Sequence, residues 1–277
     1  MKPSSFDLIR PESWEEATKV LKKYGDDAQI IAGGQSLIAM LNMRIAKPSI
    51  LIDINFIKGG HELICNNDTI EISALYTQLN LETRIETKED LPLIAEALPY
   101  IGHQQHRARG TIVGSICHSD PSSELPLCIL ALKGVLKLNS FKGKRTVKAK
   151  DFFLGPLLNS KRQDEIVQSV LIPKAKKYTG YAFNEVSEKH GDFALASFAA
   201  IVDKNNTRLA VGGVCEKPVV REWTNTNIKN LSNLINEFAW DLEIISDQHS
   251  TDKYKRALIR NIGIETIKTA KRRLSIS

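Results

Sequence analysis

An α+β fold is what this 277-residue sequence predicts. Two observations carry that expectation. Short β-branched runs such as Ile50-Leu51-Ile52-Asp53-Ile54 alternate with segments of helical period in the N-terminal part. Further on, Tyr181–Val186, Ala194–Asp203 and Leu209–Val214 read as strands suited to an antiparallel sheet, and helical segments follow them. Composition agrees with a soluble globular chain, at 42% hydrophobic and 25% charged residues. The net charge of +6 comes from 38 basic and 32 acidic residues, with no dense basic stripe before the tail. That balance points to anionic small ligands rather than nucleic acid. Cys65, Cys117, Cys128 and Cys215 show no C-x-x-C spacing, so neither a zinc site nor a cluster site is expected. Nor is a disulfide framework expected. Met1 to Arg10 lacks the apolar core of a signal peptide, and no apolar run approaches the roughly 20 residues of a spanning helix. The expected location is the cytoplasm.

The elements follow in order. Phe6–Arg10 reads as a strand. Ser13 is the expected N-cap of a helix, with Glu16 three residues on, and the helix carries Trp14, Ala17, Val20, Leu21 and Tyr24 to a stop at Gly25. Gln29–Ala32 is a strand, Leu37–Arg44 a helix broken before Pro48, and Ile50–Ile54 a strand. Glu62–Cys65 and Thr69–Ile72 flank the polar turn Asn66-Asn67 of a hairpin. Tyr76–Ile85, Leu91–Leu98 and the apolar Ser123–Ala131 read as helices. Gly134–Leu138, Arg145–Val147 and Ile166–Ile172 read as strands, the last closed by Pro173. Lys174-Ala175-Lys176-Lys177 is the expected linker. Helices over Asn230–Ala239 and Asp252–Leu274 close the chain, with Gly263 as a candidate break in the second.

Two small-residue segments stand out, Ala32-Gly33-Gly34-Gln35-Ser36-Leu37 and Thr111-Ile112-Val113-Gly114-Ser115. Glycines let a backbone come close to a ligand. Successive N–H groups in such loops form nests for phosphate oxygens. Two such loops could grip one pyrophosphate from both sides, which points to a dinucleotide. The G-x-G-x-x-G run of a Rossmann site and the G-x-x-x-x-G-K-[ST] run of a P-loop are both absent.

These segments, with Arg44, Pro48, Leu51–Ile54, Ile101–Arg107, Arg109–Ile112, His118–Pro126, Phe183–Glu185, Gly191–Ala194, Gly212–Val214, Pro218, Arg221 and Tyr254–Arg256, resemble the FAD-binding medium subunits of the molybdenum hydroxylases. That family includes the medium subunit of aerobic-type carbon monoxide dehydrogenase and the FAD-binding subunit of xanthine dehydrogenases. The resemblance spans nearly the whole chain. It implies a PCMH-type FAD-binding domain over 1–176, made of two α+β subdomains (about 1–56 and 57–176). A C-terminal α+β domain over 177–277, an antiparallel sheet plus helices, would follow. FAD would lie between the two subdomains. Ala32, Gly33, Gly34, Gln35, Ser36 and Leu37 would wrap its pyrophosphate from one side, and Thr111, Ile112, Val113, Gly114 and Ser115 from the other. Val113 departs from the family, whose second loop carries two glycines; a β-branched residue there resists positive φ and close approach. Asp120 would fix its loop, and Glu124 aligns with a contact to the adenosine end, although it equally suits a first-turn carboxylate. Ile166 matches a backbone contact to adenine or a core strand position. Lys189, with Asn184, matches a loop that sets a basic group near the flavin. Phe193 matches an aromatic against the isoalloxazine, or a core residue. His103, His106 and His118 flank the second loop without metal-ligand spacing, and no catalytic or metal-binding residue is expected. With Gln35, Ser36 and Leu37 beside Gly34, the flavin is expected to be non-covalent.

The resemblance further implies that substrate is hydroxylated at a molybdopterin centre in a large partner subunit. Electrons would cross two [2Fe–2S] clusters in a small iron–sulfur subunit to FAD on this chain, and then reach an external acceptor. The assembly would be a dimer of heterotrimers. Some relatives carry an additional cluster on this subunit; the cysteine spacing here argues against one. Two rival readings are a self-sufficient flavin dehydrogenase or oxidase, and a scaffold that has lost FAD. The first needs its own pocket and a catalytic base, which the C-terminal region does not display. The second is kept open by Val113.

Overall fold

The computed structural model describes residues 2–224 and 230–274, so the extreme ends of the two expected regions, Met1 and 275–277, lie outside it. The chain opens with β1 (Asp7–Ile9), α1 (Trp14–Tyr24), β2 (Ala28–Ile31), α2 (Leu37–Asn42) and β3 (Ile50–Asp53). The three strands form a parallel sheet in the order β1-β3-β2. Ser13 caps α1 by accepting the Glu16 N–H, while Glu16 reaches back to the Glu12 N–H at 2.9 Å rather than to that of Ser13. Ala17, Thr18 and Leu21 make the buried face of α1. Gly25, at φ +53°, turns the chain out of the helix, a conformation that disfavours a β-carbon.

The next stretch contains β4 (Leu63–Cys65), β5 (Thr69–Ser73), β6 (Val135–Ser140), β7 (Gly143–Lys148), the small hairpin of β8 (Phe153–Gly155) and β9 (Leu158–Asn159), and β10 (Glu165–Pro173). Apart from the hairpin, these strands form an antiparallel sheet in the order β4-β5-β10-β6-β7. Between β5 and β6 lie α3 (Gln78–Thr83), α4 (Thr87–Asp90), α5 (Pro92–Ala97), α6 (Gln104–Arg109), α7 (Ile112–His118) and α8 (Glu124–Ala131); the single turn α9 (Ala149–Phe152) follows β7. Every residue of α8 is buried. A helix apolar on all sides needs neighbours on all sides. α8 finds them in α5, α7 and α9, and in the sheet that comes next.

That sheet is β11 (Gly180–Val186), β12 (Ala196–Val202), β13 (Asn206–Gly212) and β14 (Val219–Thr224), antiparallel and in sequential order. Its pleat divides two cores. Ala199 and Ala210 join the core that contains α8, while Phe198, Ala200 and Val211 join a second core built with α10 (Leu231–Asp241), α11 (Asp252–Leu258) and α12 (Ile264–Leu274). The lysine-rich connection between β10 and β11 is tied down, with Lys174 N–H on the Asp68 carbonyl at 2.9 Å and Ala175 N–H on that of Asp90 at 2.8 Å.

The expected elements are present, with differences that have local causes. The strand β14 and the short helices α4 and α6 were not expected, because Arg221, Glu222 and the Gln104–Arg109 run carry no apolar period. Gly263 does not split the last helix; a π-helical segment, Ile259–Gly263, joins α11 to α12 instead. There the missing side chain of Gly263 lets the helix come close to Leu209 and Phe198.

Packing of α12 on β11 depends on Gly180, where a β-carbon would run into the Ala270 carbonyl. We expect Gly180→Ala to cost about 3 kcal/mol by overpacking. Urea denaturation reads this directly, and a change below about 0.5 kcal/mol would show that α12 and β11 separate easily.

Candidate functional site

The first predicted segment leaves β2 and enters α2. Gly34 sits at φ +73°, where glycine is favoured. Among the described residues, no protein acceptor takes the backbone N–H of Gly33, Gly34, Gln35, Ser36 or Leu37; the ladder of α2 starts with Ile38 N–H on the Gly34 carbonyl at 3.0 Å. The loop is braced from outside this row. Asn55 donates to the Ala32 carbonyl at 3.0 Å, and Asp53 fixes Asn55 at 2.7 Å. The Gln35 side chain donates to the Gly33 carbonyl at 3.2 Å. Ser36 is exposed, and its hydroxyl does not cap α2.

The second segment differs from expectation. Thr111–Ser115 is not an open loop but the capped first turn of α7. The Thr111 hydroxyl accepts the Gly114 N–H at 3.0 Å, Ser115 N–H bonds the Thr111 carbonyl at 3.2 Å, and Ile112 N–H bonds the Tyr76 carbonyl at 3.1 Å. In this turn, among the described residues, the N–H groups of Thr111 and Val113 are left without a protein acceptor. Ile112 and Val113 point into the core, at 0% and 2% exposure. The anticipated obstruction by Val113 is therefore corrected: its side chain packs inward, and a helical φ suits a β-branched residue.

The first segment meets the chain just ahead of the second. A β-carbon on Gly33 would collide with the Arg109 carbonyl, so this glycine serves the approach of one backbone to another. The Arg109–Thr111 stretch is anchored in turn, with Gln78 N–H on the Gly110 carbonyl at 2.8 Å and Thr77 bridged to Thr111. Arg107, buried, pairs one edge of its guanidinium, Nε and Nη2, with both Glu82 oxygens at 2.7 and 3.0 Å, and donates from Nη1 to the carbonyls of Ile101 and Gly102. This fork binds α3, α6 and the 101–102 turn into one unit. Sequence reasoning noticed Arg107 but missed Glu82, Gln78 and Asn55, none of which lies in a glycine-containing run.

Asp120 fixes its turn as expected, accepting the Ser122 N–H at 2.8 Å. The Pro121 carbonyl then takes the Gly213 N–H at 2.8 Å, linking this turn to the C-terminal sheet. Gly213 is held from its other side by Lys255, whose buried ammonium donates to the carbonyls of Gly213 and Ile245 and to Asp247 at 2.6 Å. That explains the Lys255 of the Tyr254–Arg256 motif. The bond and the nearby charge also hold the Asp247 carboxyl down at about 2, against the opposing effect of burial. Glu124 opens α8 at 7% exposure. Burial pushes its carboxyl up to about 7; the charge of Asp120 adds to this, and its own backbone N–H opposes it.

The remaining predicted residues are spread out. Ile166 lies in the core on β10, opposite Asn139 and beyond the point where the pairing with β5 ends at Ser73. Asn184 donates to Thr266 on α12 at 3.2 Å. Lys189 is exposed in a turn closed by Asp192 N–H on its carbonyl. Phe193 is 74% exposed, which removes its alternative reading as a core residue. The turn between Lys189 and Phe193 rests on the Gly102–His103 turn, because Gly191 leaves no room for a β-carbon against the Gly102 carbonyl. His103 and His106 stack at 5.8 Å, and Nδ1 of His106 accepts the His103 N–H at 3.1 Å. Among the described residues no group of three His, Cys, Asp or Glu side chains is placed to hold a metal ion.

Two substitutions separate these roles. Val113→Gly should lower stability by about 2–4 kcal/mol, through a core cavity and a glycine in a helix, without tightening dinucleotide binding. Thermal unfolding and a ligand titration check both parts; tighter binding would show that Val113 does obstruct the cleft. Gly33→Ala should weaken dinucleotide binding at least about tenfold while far-ultraviolet circular dichroism stays native, because it pushes the two segments apart at one point. Unchanged binding would remove the first segment from the site.

Comparison with known proteins agrees with this arrangement. Residues 4–175 match the family model described as the FAD binding domain in molybdopterin dehydrogenase. The nicotine 6-hydroxylase medium subunit of Paenarthrobacter nicotinovorans is 33% identical over 280 residues, covering 96% of this chain and 98% of that one. The carbon monoxide dehydrogenase medium chain of Hydrogenophaga pseudoflava is 34% identical over 227 residues, covering 80% and 79%. Among solved structures, a carbon monoxide dehydrogenase of Hydrogenophaga pseudoflava lacking the Mo-pyranopterin moiety superposes with a TM-score of 0.91 at 29% identity, covering 99% of both chains. Quinoline 2-oxidoreductase from Pseudomonas putida 86 gives 0.91 at 27% identity, again with 99% of both chains covered. With its fold and its two opposed N–H-bearing segments, the chain belongs to the FAD-binding domain family of the molybdopterin dehydrogenases and is an oxidoreductase subunit.

Proposed function

We propose that this chain is the electron-transfer subunit of a molybdenum hydroxylase complex, holding FAD non-covalently between two subdomains (about 1–56 and 57–176), ahead of a C-terminal domain over 177–277. The observation that carries the reading is the row of unpartnered N–H groups from Gly33 to Leu37, with the Val113 N–H in the helical turn that follows the Arg109–Gly110 stretch against which Gly33 packs. Such a row is matched by the oxygens of a pyrophosphate, each of which accepts several hydrogen bonds. Gly33 to Leu37 and Val113 would hold that group, with Ala32 and Thr111 shaping the walls and Gly114 and Ser115 completing the turn. Asp120 keeps the Pro121–Glu124 turn in place, and Glu124 can accept hydroxyl hydrogen bonds at the cleft. Ile166, on the stretch of β10 that β5 does not pair, is the proposed backbone contact to the base. Phe193 offers an exposed ring face, and Lys189 a charge suited to an anionic partner.

Bound flavin would supply the exchange between one-electron and two-electron carriers. The chain's own work is to bind it and orient it. The partners we propose are a small subunit carrying [2Fe–2S] clusters as electron donor and a large molybdopterin subunit where substrate is oxidised, in a dimer of heterotrimers. The relatives named as medium chains or medium subunits of dehydrogenases and hydroxylases support such an assembly. The four free cysteines suit the cytoplasm. No helix among the described residues is long and apolar enough to cross a membrane.

The test is the visible absorption of the purified chain titrated with FAD, followed by denaturation. Saturable binding with full release of FAD on denaturation is the expected result. Flavin that stays with the denatured chain would overturn the non-covalent assignment. No binding by the chain or by the complex co-expressed with its partners would overturn the FAD reading.

A further inference from the structure

Behind Glu124 lies a second carboxyl that the cofactor reading does not use. Glu185 stands on β11, directly opposite Ser197 on β12. Both carboxylate oxygens of Glu185 and the hydroxyl of Ser197 are buried without a hydrogen-bond partner. Ser197 is 0% exposed and presses on Gly212, where a β-carbon would lie 2.7 Å from its hydroxyl and 3.4 Å from the Pro121 carbonyl. Three orphaned polar atoms in one place are unusual in a folded interior, where nearly all such atoms are paired.

The surrounding charges run one way. From α8 come Glu124 and the thiol of Cys128, from the preceding turn Asp120, and from α5 Glu96. Glu124, Glu96 and Glu185 all act on Cys128, which together with burial holds its thiol well above the usual range. Glu96 is already engaged, accepting the Phe183 N–H at 3.0 Å and pairing with Arg273 of α12. The Ser187 hydroxyl, just past the end of β11, donates to the Lys189 carbonyl at 3.0 Å and is the smallest of the influences on Glu185. No cation among the described residues forms an ion pair with Glu124 or Glu185. A carboxylate buried under these conditions takes up a proton.

We propose that Glu185 is a positioning residue that stays protonated behind Glu124, so that the two carboxyls together carry no more than one negative charge beside the cofactor cleft. This rests on the FAD reading of Glu124. Ionising Glu185 would place two negative charges in a low-dielectric wall beside an anionic cofactor and loosen the first turn of α8. In agreement with the geometry, burial and then the charge of Glu124 push the Glu185 carboxyl up to about 8. The sign for stability follows. The folded state keeps a proton that the unfolded state releases at ordinary carboxyl values. The contribution is therefore complete below about pH 4.5 and is lost as pH rises through about 8.

The experiment is FAD titration of the full chain from about pH 6 to about pH 9, for wild type and for Glu185→Gln, which mimics the protonated acid. Wild-type affinity should fall at least about tenfold across that range, and Glu185→Gln should keep most of its affinity at the alkaline end. Melting temperature followed over the same range, without FAD, should fall more steeply for wild type than for Glu185→Gln. Identical pH profiles for the two proteins, in binding and in melting, would overturn the proposal. If neither protein binds FAD at any pH, the cofactor reading fails and the positioning role falls with it, while the melting curves still report whether Glu185 is held neutral. Should Glu185→Gln fail to fold, an infrared difference spectrum of wild type between the two pH limits decides. Loss of a protonated-carboxyl band near pH 8 supports the proposal, and its absence overturns it.

Discussion

The rest of the molecule depends on the burial of α8 on every side. A helix with an exposed face can slide or tilt with little loss. α8 cannot, because each leucine drawn into solvent would forfeit roughly 1.5–3 kcal/mol. It has α5, α7 and α9 on one flank and β12, β13 and β14 on another. The C-terminal sheet is therefore not an appendage on a linker but part of the wall of the same core, and Ala199 and Ala210 are small because α8 lies against them. The same constraint sets the geometry of the cleft. Glu124 is the first residue of α8, so its height above the C-terminal sheet is fixed by the seven buried residues behind it.

Around that core, the two halves of the cleft are held by bonds that never enter it. Asn55 and Asp53 brace the first loop, Gln78 and Thr77 brace the approach to the second, and Arg107 with Glu82 locks the intervening turn. Lys255 does the equivalent for the Gly213 turn. The donors left over, Gly33 to Leu37 and Val113, are those whose protein partners would have filled the cleft. A site preorganised in this way loses little conformational entropy when an anion arrives.

Much of this was legible in the residues. The capped helix at Ser13, the hairpin around Asn66-Asn67, the long strand ended by Pro173 and the antiparallel strands after Tyr181 all follow from period and punctuation. So does the first glycine loop, because Gly33-Gly34 after a β-branched run is a local signal. The second segment was misread as a loop because Gly114 and Ser115 suggest one, whereas Thr111 as N-cap and the inward faces of Ile112 and Val113 make a helix. Local chemistry could have revealed the cap, but not which way Val113 faces, since that depends on strands far away in the chain. The same limit hid Glu82, Gln78, Glu185 and Ser197. Each matters through a neighbour brought to it by topology: Arg107, Gly110, Glu124 and Gly212.

That dependence on distant neighbours also shapes how the chain comes to be folded. The parallel sheet of β1, β2 and β3 is assembled from the first few dozen residues, but β5 has no inner neighbour until β10 exists; the Glu71–Ser169 bond spans 98 positions. During synthesis the β4–β5 hairpin must wait with one hydrogen-bonding edge open while seven helices and four further strands emerge from the ribosome. Pairings of such separation form slowly, and an open strand edge invites the wrong partner in the interval. The β4-β5-β10-β6-β7 sheet is thus the part of this protein most exposed to misassembly, and crowded or rapid expression would tax it before any other.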